Sequence, residues 1–134
     1  MPESSPLRVA IVDDDPSYGR AVARLLRASR MEPRNFASAE EYLARGGEGS
    51  AECLLLDVQL GGMSGFDLQR QLATAGSRTA VVFISGQNEG AATLAAEAGC
   101  RFVGKSDSCE VLLEAILVTT PETATGTTFG PTYG

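Results

Sequence analysis

The chain contains no histidine. Imidazole catalysis, imidazole metal ligands and a role as phosphohistidine donor are therefore excluded. Cysteine is scarce: Cys53, Cys100 and Cys109 make an odd count without CxxC spacing. That favours buried or half-buried thiols in a reducing compartment over a redox role. Basic residues are few and scattered, 11 against 17 acidic ones, for a formal net charge of −6. No basic stripe exists for nucleic acid, so direct nucleic-acid binding is not expected. No apolar run approaches the roughly 20 residues of a membrane span. The start, Met1-Pro2-Glu3-Ser4-Ser5, lacks the basic and apolar segments of a signal peptide. These absences predict a cytoplasmic protein with no membrane partner.

What is present is a chain of 134 residues with 43% hydrophobic and 21% charged content, enough for one domain with a real core. Short apolar runs alternate with helical patterns. Strands are predicted at Arg8–Val12, Glu32–Phe36, Cys53–Asp57, Ala80–Ser85 and Arg101–Lys105, with Pro33 marking the second as an edge strand. Helices are predicted at Ser17–Ser29, Ser38–Arg45, Gly65–Ala75, Glu89–Ala98 and Asp107–Leu117. The expected inner faces are Tyr18, Ala21, Val22, Leu25 and Leu26 in the first helix, and Leu68, Leu72 and Ala75 in the third. In the last they are Val111, Leu112, Ala115 and Ile116. Asp15-Pro16 reads as a helix start, Ser38 and Glu41 have capping-box spacing, and Gly76 and Gly99 read as stops. Strand–helix alternation of this kind predicts an α/β fold, a parallel five-stranded sheet covered on both faces. The expected divisions are an N-terminal extension at 1–6, a domain at 7–118, and a flexible tail or truncated linker at 119–134, where Thr, Gly and Pro replace the periodicity.

In such sheets, sites form beyond the carboxyl ends of the strands. There the sequence places Asp13 and Asp14 after the first strand, Asp57 at the end of the third, Ser85 at the end of the fourth and Lys105 at the end of the fifth. Clustered carboxylates repel unless a cation holds them or one is modified. Mg²⁺ prefers oxygen ligands and needs only one or two carboxylates, and a carboxylate can itself accept a phosphoryl group. A cation and a hydroxyl would then face the transferred oxygens. Taken singly, each residue has a plainer reading: Asp13 to Asp15 as helix caps, Lys105 as a surface charge, Ser85 as a turn residue, Asp57 as a loop start. Their coincidence at the ends of the right strands carries the functional reading.

These segments resemble the response-regulator receiver domains of two-component signalling. The match lies in Val12-Asp13-Asp14-Asp15-Pro16, Leu55 to Gly65, Phe83-Ile84-Ser85-Gly86 and Phe102-Val103-Gly104-Lys105, over roughly Leu7 to Val118. The middle stretch is similar to receivers whose outputs are helix-turn-helix transcription factors. The resemblance implies a doubly wound, flavodoxin-like (βα)5 three-layer sandwich of strand order 2-1-3-4-5. It implies that Asp57 accepts phosphoryl from a histidine kinase or phosphotransfer protein, with Mg²⁺, or Mn²⁺, as cofactor. Asp14 and Asp57 would ligate the metal directly, Asp13 through water, and Gln59 through its backbone carbonyl. Lys105 and Ser85 would contact the phosphoryl group, and Ser85 with Phe102 would form a switch. For Phe102 a plain core aromatic is the alternative. The domain would catalyse its own aspartyl phosphorylation and dephosphorylation, with no separate substrate. Phosphorylation would shift the face of the fourth helix, fifth strand and fifth helix, helped by the pliable 86–90 loop, to act on an output domain or a homodimer.

Two positions depart from the family's pattern. Gly61 stands where proline is usual, predicting a looser loop. Ser106 stands where proline often follows the lysine in a cis bond, predicting a trans peptide. Three other readings stand beside the main one. A pseudo-receiver would bind proteins without being phosphorylated. A nucleotide-binding enzyme would need the glycine-rich loop that is missing here. A metal-dependent phosphatase would need a cap segment that no insertion supplies.

Overall fold

The computed structural model describes residues 6–47, 49–86 and 90–120. Five strands, β1 (Arg8–Val12), β2 (Glu32–Phe36), β3 (Cys53–Asp57), β4 (Ala80–Ser85) and β5 (Arg101–Gly104), pair in parallel in the order β2-β1-β3-β4-β5. The helices between and after them are α1 (Pro16–Ala28), α2 (Ala39–Glu41), which widens into a π-helical turn over Tyr42–Gly46, α3 (Gly65–Thr74), α4 (Ala91–Glu97) and α5 (Cys109–Thr119). This is the expected doubly wound α/β sandwich.

Alternation along each strand builds two separate cores. Val9, Ile11, Cys53, Leu55, Val82 and Ile84 pack against α1 and α5. Ala10, Val12, Leu54, Leu56, Val81 and Phe83 pack against α2, α3 and α4. With both faces covered, the central strands carry continuous apolar runs, and all of β3, Asp57 included, is buried. Pro33 sits on edge strand β2, opposite Val9, as expected.

The helices differ from expectation in detail. The buried face of α1 is Gly19, Val22, Ala23 and Leu26. Ala21 is exposed, while Tyr18 and Leu25 lie half-buried at the rim. The contact stripe is centred on small residues, because a Cβ at Gly19 would come within 2.7 Å of Asn35 Nδ2. Ser38 caps α2 by accepting from Glu41 N at 3.0 Å, but the Glu41 carboxylate accepts from Ala37 N, one residue before the cap. The π turn brings Tyr42 fully inside, edge-on to Phe36 at 5.4 Å. In α3, Leu68 and Leu72 are buried, but Ala75 is an exposed C-cap and not an inner residue. Ser64 and Asp67 form a reciprocal capping box there.

α4 begins at Ala91 behind Gly90, which adopts φ +78°; the expected start at Glu89 lies outside the described residues. β5 ends at Gly104, one residue before Lys105. α5 starts at Cys109, two residues later than expected, because Ser108 takes the cap and Asp107 turns back to accept from Gly104 N at 2.8 Å. Val111, expected inside, is 42% exposed, while Leu112, Ala115 and Ile116 are buried. α5 runs to Thr119 with Thr120 as C-cap, so these two residues, expected in the tail, belong to the last helix and its cap. Residues 121–134 and 1–5 lie outside the described residues. Among the described residues, no helix is long and apolar enough to cross a membrane.

Candidate functional site

The carboxyl ends of β1 and β3 meet because the two strands are neighbours, with Val12 opposite Leu56. The three aspartates after β1 have separate fates. Asp15 is the α1 cap, accepting from Ser17 N at 3.0 Å and Tyr18 N at 3.5 Å. Asp13 points inward with its side chain fully buried, and its Oδ1 accepts from Asp15 N at 2.8 Å. Asp14 is exposed. Capping and ligand readings therefore apply to different residues of one short run.

Asp57 closes β3 at 3% exposure. Its Oδ1 accepts from Gln59 N at 3.0 Å. Its Oδ2 accepts from Lys105 Nζ at 3.2 Å. Lys105 Nζ is also 2.8 Å from Asp13 Oδ2. The latter contact is a charge pair without hydrogen-bond alignment, so Asp13 Oδ2 remains a buried acceptor with unused capacity. Oxygens of Asp13, Asp14 and Asp57 lie within 4.8 Å of one another.

Three carboxylates against one ammonium leave the cluster negative. Burial pushes the Asp57 carboxyl up to about 6; the Gln59 amide opposes this, the Asp13 charge adds to it, and Lys105 opposes it. Burial works against the Lys105 charge, but Asp13 and Asp57 outweigh it and raise its pKa. A hard divalent cation fits this donor set: it takes oxygen ligands and would relieve the repulsion that Lys105 alone leaves. Asp13, Asp14 and Asp57 are the residues that could hold it.

The other expected residues are placed as follows. Ser85 ends β4, one residue beyond the Asp57–Ile84 pairing, and is buried to 1% exposure. Its carbonyl accepts from Lys105 N at 2.8 Å, which sets the base of the lysine beside β4. Gln59 reaches the site through its N–H. Phe102 lies opposite Phe83 on β4 and packs, partly buried, on the α2–α3–α4 side. No cis peptide occurs among the described residues, so the Lys105–Ser106 bond is trans as expected. Gly61 does not use the left-handed region, and a Cβ there would meet open space.

Three contributors were not anticipated. Tyr18 lays its ring under Lys105, with Nζ 4.8 Å from the centroid. Glu40 accepts from Met63 N at 3.0 Å and so ties the β3–α3 loop to α2. Asp107 braces the turn that follows β5. Tyr18 had a signal, since it is an aromatic one helical turn after the aspartates; Glu40 meets Met63 from 23 residues away, while Asp107 acts on Gly104 within a local turn where it competes with Ser108 for the helix start.

A parallel α/β sandwich with an acidic pocket and one lysine at the carboxyl ends of its strands defines a class of doubly wound domains with a candidate cation site at that end of the sheet. Comparison with known proteins narrows this. The family profile of the response regulator receiver domain matches residues 9–117. Response regulator protein TmoT of Ectopseudomonas mendocina is 38% identical over 81 residues, covering 60% of this chain and 37% of that protein. Nodulation protein W of Bradyrhizobium diazoefficiens is 34% identical over 114 residues, covering 84% of this chain and 50% of that protein. The solved structure of response regulator StyR superposes with a TM-score of 0.78 at 32% identity, over 86% of this chain and 59% of that one. The chain belongs to the response regulator receiver domain family, the receiver part of two-component response regulators. It spans about half or less of the length of these curated relatives.

Proposed function

We propose that the chain, through a functional unit at residues 7–118, takes a phosphoryl group onto Asp57 from a phosphohistidine of a partner kinase or phosphotransfer protein. The observation that carries this reading is the Asp57 carboxylate, buried at the end of β3 between Lys105 and the Asp13–Asp14 pair. An Asp57 oxygen attacks phosphorus, the donor's N–P bond breaks, and the leaving imidazole keeps the bonding pair and takes up a proton. The product is an acyl phosphate on Asp57.

Asp14 and Asp57 would hold Mg²⁺ (Mn²⁺ has similar oxygen preference) directly, with Asp13 through water and the Gln59 carbonyl completing the set. The metal, when bound, supplies positive charge to the transferred oxygens. Lys105 neutralises one of those oxygens, and Ser85 donates to another. Ser85 and Phe102 then relay the change toward α4, β5 and α5; α4 carries the exposed Leu94, and α5 the exposed Val111, Leu117 and Val118. The readout is an output domain or a homodimer in the cytoplasm. Control of transcription is the output that the 55–65 resemblance favours.

Incubation with acetyl phosphate and Mg²⁺, read by intact mass, tests the proposal. One phosphoryl group on the wild type and none on Asp57→Asn is the expected result. An unmodified wild type that also fails to bind beryllofluoride would sink it and leave the pseudo-receiver reading.

A further inference from the structure

Lys105 is enclosed by three groups and not two. Its ammonium contacts Asp13 Oδ2 at 2.8 Å, Asp57 Oδ2 at 3.2 Å and the face of the Tyr18 ring at 4.8 Å. The two carboxylates are the groups that the proposed reaction changes. Asp57 becomes an acyl phosphate, and Asp13 and Asp57 both belong to the cluster that a divalent cation would claim. A lysine moored only to them would lose its geometry when their charge is drawn elsewhere. The aromatic face is neutral and undergoes no chemistry. It attracts a cation through its quadrupole and leaves the ammonium's N–H groups free to turn from a carboxylate to a phosphoryl oxygen.

The ring is also well anchored. Tyr18 is the third residue of α1, and its N–H bonds to the Asp15 cap. Its half-buried side chain shares a small groove between α1 and α5 with Leu25, Lys105, Cys109 and Leu112. Only 20% of the Lys105 side chain is exposed, so little water competes for the contact.

Resting on the phosphoryl-transfer reading above, we infer that Tyr18 is a positioning residue, whose ring face holds the Lys105 ammonium in place while its carboxylate partners are taken over by metal and phosphoryl group. The role belongs to the ring and not to the hydroxyl.

The test compares the wild type with Tyr18→Phe and Tyr18→Leu. The initial rate of Asp57 labelling by acetyl phosphate is read by intact mass, and Mg²⁺ affinity by amide NMR titration. The Lys105 ε-methylene proton shifts, which report a ring overhead, are followed in the same samples. Tyr18→Leu keeps apolar bulk but has no π face. It is expected to label about fivefold more slowly, from the usual strength of a partly desolvated cation–π contact. Its Mg²⁺ affinity should be unchanged, showing an intact acidic pocket, and its Lys105 protons should lose their upfield shift. Tyr18→Phe should restore both the rate, to within about twofold, and the shift. Equal rates in the wild type and Tyr18→Leu would overturn the inference alone. A Tyr18→Phe rate as low as that of Tyr18→Leu would also overturn it, because the hydroxyl would then be the acting group. A wild type that takes up neither phosphoryl group nor beryllofluoride would overturn the functional reading, and this inference with it.

Discussion

Asp57 is a buried carboxylate whose surroundings only half favour its charge. The Gln59 amide and Lys105 stabilise the anion, while burial and the Asp13 carboxylate work against it. Burial wins, and the pKa rises from 3.8 to about 6. The sign of the stability effect follows. A carboxyl with a raised folded-state pKa contributes its full stability where it is protonated in both states, below about pH 4. That contribution is lost as pH climbs through about 6, and above this the buried anion costs free energy. Asp57→Asn does not titrate. The variant should be more stable than the wild type by about 1–2 kcal/mol at pH 8, two pK units discounted for the water access of an open cleft. The difference should shrink toward zero by pH 4. Urea melts of both proteins at several pH values check this; a pH-independent difference would contradict it. On the proposed phosphoryl-transfer reading the same anion is the attacking group, so stability and reactivity would draw on one charge.

At the scale of elements, the site depends on how closely α3 approaches the end of β3. Gly65 opens α3, and a Cβ there would fall 2.2 Å from the Asp57 carbonyl oxygen and 3.0 Å from Val58 Cα. Both are backbone atoms and cannot swing aside. Gly65→Ala must therefore push α3 off the sheet or bend the chain that carries Asp57 and Gln59. The expected cost is about 2–4 kcal/mol, the range for overpacking at a rigid site. Denaturant melts check the stability, and amide spectra should place the largest shifts at 57–65. The elements also show what sequence can carry. The central strands were readable because burial on both faces demands unbroken apolar runs such as Cys53–Leu56. Asp13, Asp57 and Lys105 followed, since each lies at a strand's carboxyl end. Helix rims were harder. The α1 stripe is built on Gly19 and Ala23, whose smallness and not hydrophobicity suits the contact. The late start of α5 depends on Asp107 preferring Gly104 N to a capping role. The Glu40–Met63 and Tyr18–Lys105 contacts join segments that only the folded topology brings together.

Across the whole molecule, the two cores and the acidic cluster act in opposite directions. Apolar layers on both faces of the sheet drive β1 and β3 together, and in doing so they crowd Asp13, Asp14 and Asp57 into one corner of a chain already at net charge −6. Lys105 compensates one of those charges. A divalent cation that binds only the folded arrangement adds stability by mass action, about 1.4 kcal/mol for a concentration tenfold above its dissociation constant. Mg²⁺ should therefore raise the melting temperature of the wild type by several degrees for a domain of this size. EDTA should reverse the rise. Asp14→Asn with Asp57→Asn should melt higher than the wild type without Mg²⁺ and gain almost nothing on adding it, because the substitutions remove both the repulsion and the ligands. Ca²⁺, larger and less demanding in geometry, is expected to stabilise less at equal concentration. Calorimetric scans across a Mg²⁺ series, at fixed ionic strength to remove general screening, check each part. Equal shifts in the wild type and the double variant would mean that the cation acts on the surface charge of the whole molecule and not on this corner of it.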